Sequence, residues 1–89
     1  MTKNDILEDV QRILAKVLPV QPEECRLPAR LGEDLECDSL DRFEIVLELE
    51  MLFEIDLDDD CVEAWHTVRD MVDSVYRMTQ SPSPAQVAS

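Results

Sequence analysis

The 89-residue chain is poor in positive charge, has one histidine, and has no cysteine pair at a useful spacing. Eight Lys and Arg stand against 21 Asp and Glu, for a formal net charge of −13. A field of that sign repels phosphate backbones and anionic bilayers, which excludes nucleic acid and membrane surfaces as partners and leaves basic protein surfaces. The excess also repels itself in the compact state, so added salt is expected to stabilise the fold. His66 has no Ser or Cys partner at a recognisable spacing, so neither a Ser-His-Asp nor a Cys-His catalytic arrangement is present, and the chain is not expected to be an enzyme. Cys25, Cys37 and Cys61 are odd in number, which argues against a disulfide frame or a zinc site and for reduced thiols in a cytoplasm. No apolar signal segment follows Met1, and no apolar run approaches the length of a membrane span. A soluble, cytoplasmic monomer of one small domain is therefore expected.

What remains is a helical pattern. Ile6, Leu7, Val10, Ile13, Leu14, Val17 and Leu18 recur at helical spacing and predict a first helix, capped by Asn4 or Asp5 and ended by Pro19. Residues 19–38 carry Pro19, Pro22, Pro28 and Gly32, which rule out a long helix. Leu27, Leu31 and Leu35 recur every four residues and predict short turns that pin this long loop to the bundle, with Val20 and Cys25 as smaller anchors. A second helix is predicted from Ser39 to about Phe53, and its apolar residues are too many for one face. Ile45, Leu49, Leu52 and Phe53 form one stripe, assigned to the core. Leu40, Phe43, Leu47 and Met51 form another, edged by Asp41, Glu44, Glu48 and Glu50. The second stripe reads either as the far side of a wide core face or as a docking patch whose carboxylates steer a basic partner. Arg42, in the middle of this acidic helix, has no assigned role.

The run Asp56-Leu57-Asp58-Asp59-Asp60 has oxygens at alternate positions, as a calcium loop would, but such a loop needs Gly at 61 and Glu at 67, where the chain has Cys61 and Thr67. The run reads instead as a solvated cap for a short helix over about 59–65, with Val62 and Trp65 turned inward, and no metal site is expected. His66 reads as a surface residue. Thr67 with Asp70 opens the last helix, which presents Val68, Met71, Val72, Val75 and Tyr76 or Met78 to the core up to about Met78. These segments predict an all-α four-helix bundle over residues 4–78, three helices long and one short, followed by a disordered Pro-containing tail over 79–89.

The stretch that these helices hold in the open is Gly32-Glu33-Asp34-Leu35-Glu36-Cys37-Asp38-Ser39-Leu40-Asp41. Asp38 is a good N-cap, and Asp41 can reach back to it, which places Ser39 in the first turn, where unpaired N–H groups and the positive end of the dipole tolerate a phosphate on the hydroxyl. Taken locally, an Asp-Ser pair before an apolar run is an ordinary helix start. The segment Glu33 to Leu40 with Glu44 downstream, however, resembles the attachment region of acyl carrier proteins, an Asp-Leu-Gly-x-Asp-Ser-Leu run. The likeness extends over about residues 4–76, through the first-helix pattern, the Leu27, Leu31 and Leu35 anchors and Thr67-Val68.

The resemblance implies that Ser39 carries covalent 4'-phosphopantetheine, delivered from coenzyme A by a phosphopantetheinyl transferase, with Asp38 and Leu40 completing the attachment motif. The thiol of that group would hold acyl groups as thioesters in fatty-acid or specialised lipid biosynthesis. Aminoacyl, peptidyl or polyketide cargo are alternatives, and an unmodified acidic interaction module is a rival of another class. The resemblance also makes Leu40, Asp41, Phe43, Glu44, Leu47, Glu50 and Met51 the partner-facing residues, toward acyl-transferring and acyl-processing enzymes with basic docking surfaces. A fatty chain would be sheltered by residues such as Leu49, Leu57, Val62, Trp65 and Met71. Two departures stand out: Glu36 where the family usually has Gly, and Cys37 at a position often filled by a small residue. Glu36 needs either an ordinary backbone conformation or an unfavourable one at a cost.

Overall fold

The structure, a computed structural model, describes residues 2–80; of the tail expected over 79–89, residues 81–89 lie outside the described residues, and 79 and 80 belong to the last helix. Three long helices and one short one follow in order: α1 (Lys3–Val17), α2 (Ser39–Phe53), α3 (Asp59–Glu63) and α4 (Val68–Gln80). α4 runs two residues past its expected end at Met78.

The apolar period of α1 buries Ile6, Val10, Ile13 and Leu14 as expected, but the helix begins earlier than Asn4 or Asp5 would have it. Thr2 is the cap. Its hydroxyl accepts from the Asp5 N–H at 3.2 Å and the Asp5 carboxylate accepts from the Thr2 N–H at 3.1 Å, so Asp5 serves as the third helical residue of a capping box. These bonds from Thr2 hold the Asp5 carboxyl below its usual range. Leu18 is extended ahead of Pro19, whose ring disfavours a helical residue before it.

α1 packs against both α2 and α4 around a single core. Of the stripe assigned to the core on α2, Ile45 and Leu49 are buried and Phe53 is half-buried, whereas Leu52 is half exposed and Val46 takes its place. Leu52 lies on the rim of the α1–α2 groove with Lys16 and Glu48, whose ion pair at 2.9 Å closes that side. The buried face is thus turned slightly toward Val46 from the expected stripe.

The long first loop is ordered by two devices. Cys25, Leu31 and Leu35 are buried and Leu27 and Val20 pack half-buried against them, with a 3₁₀ turn at Pro22–Glu24. The second device is a short main-chain seam to the start of α4. The Leu31 N–H donates to the His66 carbonyl at 2.9 Å, while the Val68 and Arg69 N–H groups donate to Ala29 and Leu27 carbonyls at 3.0 Å. First-turn N–H groups have no acceptor within their own helix, so the loop supplies them. Thr67 and Asp70 add the reciprocal cap expected of them, and His66 is exposed.

Trp65 fills the middle of the molecule. It is 2% exposed, and its indole N–H donates at 2.9 Å to the hydroxyl of Ser74, a buried polar residue on α4 that the apolar pattern did not mark. The Cys61 thiol reaches the same hydroxyl at 3.3 Å.

Candidate functional site

Asp38 is extended and caps α2: its carboxylate accepts from the Asp41 N–H at 2.8 Å, and its own N–H donates to the Asp41 carboxylate at 3.4 Å. Ser39 is therefore the first helical residue, exposed, at the end of the helix where N–H groups face solvent. A phosphodiester on its hydroxyl meets the positive end of the helix dipole and needs no buried space.

The approach to that serine is a strained turn. Glu36 has φ 55°, the left-handed region in which an L side chain crowds the carbonyl. Glu54, the C-cap of α2, has φ 53°, and the chain's one glycine, Gly32, occupies neither position. Of the two conformations open to Glu36, the costly one is realised. A left-handed L residue costs about 1–2 kcal/mol, and the glycine that relieves it gives back roughly 0.5–1 kcal/mol in chain entropy. Glu36→Gly should therefore stabilise the fold by up to about 1 kcal/mol and raise the melting temperature by several degrees. A melting temperature that stays put or falls would show that the turn stores no strain.

Cys37 sits two residues from Ser39 and is half-buried, its thiol directed at the Asp38 carbonyl. Burial pushes its pKa up, outweighing the pull of Arg42 in the other direction. Cys25 is buried outright and pushed up to about 11, by burial and then by Glu24 and Glu23. Both thiols stay protonated near neutral pH and are poor nucleophiles.

The second stripe of α2 faces solvent. Leu40, Phe43, Leu47 and Met51 are all exposed, Phe43 by 60% and Met51 by 78%. They form a band about 16 Å long at the helical rise. Glu44 is exposed beside them. Asp41 and Glu50 are half-buried and already engaged, Asp41 in the cap and Glu50 in accepting the Leu57 N–H at 2.9 Å. Charge is concentrated on the same side of the sequence: residues 33–63 carry fourteen carboxylates and a single cation, Arg42, and the rest of the chain carries seven of each sign. The whole net charge of the protein thus belongs to the segment that contains Ser39 and α2.

Among the described residues, Arg42 pairs with none of the acids around it. Its guanidinium turns toward α3 and donates to the carbonyls of Val62 and Trp65. Asp58 caps α3 through the Cys61 N–H at 2.7 Å, so the Asp56–Asp60 run acts as a helix start, and among the described residues no carboxylate, His or Cys cluster has the form of a metal site.

Residues 8–75 match the family model described as a phosphopantetheine attachment site. An acyl carrier protein from Exiguobacterium sibiricum is 43% identical over 72 residues, covering 81% of this chain and 91% of the relative. The chain belongs to the acyl carrier protein family. A second acyl carrier protein, from Thermosynechococcus vestitus, is 39% identical over 75 residues, with 84% of this chain and 93% of the relative covered. A solved acyl carrier protein structure from Enterococcus faecalis superposes with a TM-score of 0.73 at 28% identity, over 86% of this chain and 98% of that one. The all-α four-helix architecture is thus the acyl-carrier fold. As an acyl carrier protein the chain is a carrier and not a catalyst, its covalent group is phosphopantetheine, and its partners include a phosphopantetheinyl transferase and acyl-processing enzymes. No helix among the described residues is long and apolar enough to cross a membrane.

Proposed function

We propose that Ser39 is the residue to which 4'-phosphopantetheine is joined, that the exposed face of α2 docks the enzymes that load and process the cargo, and that the cargo is acyl. The observation that carries this reading is the position of Ser39: exposed, first in its helix, and fixed by the reciprocal Asp38–Asp41 cap. The group supplies a thiol that holds cargo as a thioester. The chain's own residues do simpler work. Asp38 sets the helix start, and Leu40 and Phe43 offer apolar contact next to the serine. Glu44 and the other carboxylates of residues 33–63 draw in a basic surface. The base and Mg²⁺ for the phosphoryl transfer belong to the transferase, since no acid-base pair is built around Ser39. Within the face, Asp41 and Glu50 have bonds to keep inside the molecule, which leaves Leu40, Phe43, Glu44, Leu47 and Met51 as the residues most available to a partner.

The test is the intact mass of the protein after incubation with coenzyme A, Mg²⁺ and a broad-range phosphopantetheinyl transferase. One phosphopantetheine increment is expected. No increment with several transferases would leave an unmodified acidic interaction module as the reading. For the docking face, replacing Leu47 and Met51 together by Glu should slow modification about tenfold or more, since burying two carboxylates against a partner is unfavourable. An unchanged rate would place docking elsewhere.

A further inference from the structure

The five-residue α3 is hydrogen-bonded to α2 through Arg42. Arg42 Nη1 donates to the carbonyl oxygen of Val62, near the end of α3, at 2.6 Å and to that of Trp65, just past it, at 3.1 Å; the Val62 carbonyl also accepts from the Trp65 N–H at 3.2 Å. Fourteen carboxylates share its stretch of chain, yet among the described residues Arg42 makes no ion pair. Its charge sits on main-chain oxygens, both reached from the one nitrogen Nη1.

Directly beside this link lies a groove of about 360 Å³ between α2 and α3, with Ser39 at one end, Phe43 and Leu47 along the side, and the core residues Val46 and Leu57 at its base. The volume is within the roughly 300–1,000 Å³ typical of small-ligand clefts. Arg42 and Val62 both line it, so the residue and one of the carbonyl groups it holds are part of the wall. The other carbonyl belongs to Trp65, whose side chain is buried.

We propose that Arg42 is the latch of this groove and a specificity-determining residue for cargo length. The proposal rests on the carrier reading of Ser39. With Arg42 bound to Val62 and Trp65, α3 stays against α2 and an apolar chain attached near Ser39 finds only the groove itself. A longer chain has to part α2 from α3, and Arg42 must then release both carbonyls. Removing its donors lowers that barrier, so the variant accepts longer chains.

Two measurements test this on the full chain. The first is amide hydrogen exchange of the unmodified protein. In Arg42→Met, which keeps the length of the side chain but has no donor, the Ala64 and Trp65 amides should exchange about ten- to a hundredfold faster than in the wild type, with α1 and α4 unchanged. That factor corresponds to loss of a charge-assisted bond. Arg42→Lys, which keeps the charge on a shorter-reaching ammonium, should fall between them and serves if the Met variant folds poorly. The second is the melting temperature of protein loaded with butyryl, octanoyl or lauroyl groups, relative to the unacylated form. Stabilisation should level off at a shorter chain in the wild type than in Arg42→Met. Equal exchange rates, or the same chain-length profile in both proteins, would overturn the proposal. A wild type that no transferase modifies would sink the carrier reading and the chain-length claim with it, while the exchange rates would still report whether Arg42 holds α3.

Discussion

Ser39→Ala takes up no phosphopantetheine under conditions in which the wild type gains one increment, and it unfolds at nearly the same temperature. The two halves of this result have separate causes. The hydroxyl is the only atom removed, and without it there is no oxygen to form the phosphodiester, so the loss is complete and not a matter of rate. The fold is kept because Ser39 is exposed and makes none of the bonds that start α2: the cap lies one residue earlier, between Asp38 and Asp41. A surface change of this kind is worth within about 0.5 kcal/mol. Intact mass reads the first half and thermal unfolding the second. A Ser39→Ala protein that still gained the increment would place the attachment on another side chain; one that failed to fold would show that the serine hydroxyl supports the helix start after all.

Trp65→Ala has the largest expected effect on stability. The side chain is almost fully buried, and truncating such an aromatic costs about 3–5 kcal/mol. A domain of this size has only about 4–12 kcal/mol to lose at the usual 0.05–0.15 kcal/mol per residue. The variant should therefore be largely unfolded well below the melting temperature of the wild type, and partly so at room temperature if the parent lies at the low end. The milder Trp65→Phe separates volume from hydrogen bonding. It removes the indole N–H and leaves the buried Ser74 hydroxyl with only the weak Cys61 thiol for company, at a cost of about 1–3 kcal/mol. Adding Ser74→Ala should restore much of that loss, because the orphaned hydroxyl then goes too. Denaturant unfolding of the two single variants and the double variant measures the coupling. Strictly additive losses would show that the Trp65–Ser74 bond contributes nothing.

These two residues also mark where reading the chain was easy and where it was not. The helix start at Ser39 could be read because its cap, first turn and apolar run lie within a few residues, but only the resemblance of the Glu33–Leu40 run to an attachment region singled out the serine itself. The burial of Trp65 was expected, but its bond to Ser74 was not, since a serine in the middle of an amphipathic helix gives no sign of which way it faces. Leu52 and Val46 exchanged places for a similar reason. A helical wheel shows which residues share a stripe, and only the neighbours decide where the centre of the buried face falls. Asn4 and Asp5 were plausible caps for α1, and Thr2 displaced them because it completes a box with Asp5 that neither of them forms. Arg42 was the least legible residue. Its acceptors lie 20 and 23 residues away and are main-chain carbonyls, which every residue has and no sequence distinguishes.

By itself, then, the sequence determined the all-α class, the order and approximate limits of four helices, the capped serine and the acidic, apolar face beside it. All of these follow from periodicity, caps and charge, which act over one or two turns of chain. The tertiary structure decided the rest. It set the left-handed turn at Glu36, the bond from the Leu57 N–H that engages Glu50, the seam that ties the first loop to α4, and the use of Arg42 as a clasp on α3. Each of these depends on which polar groups the packed helices leave without a partner, and that is known only once distant parts of the chain have come together.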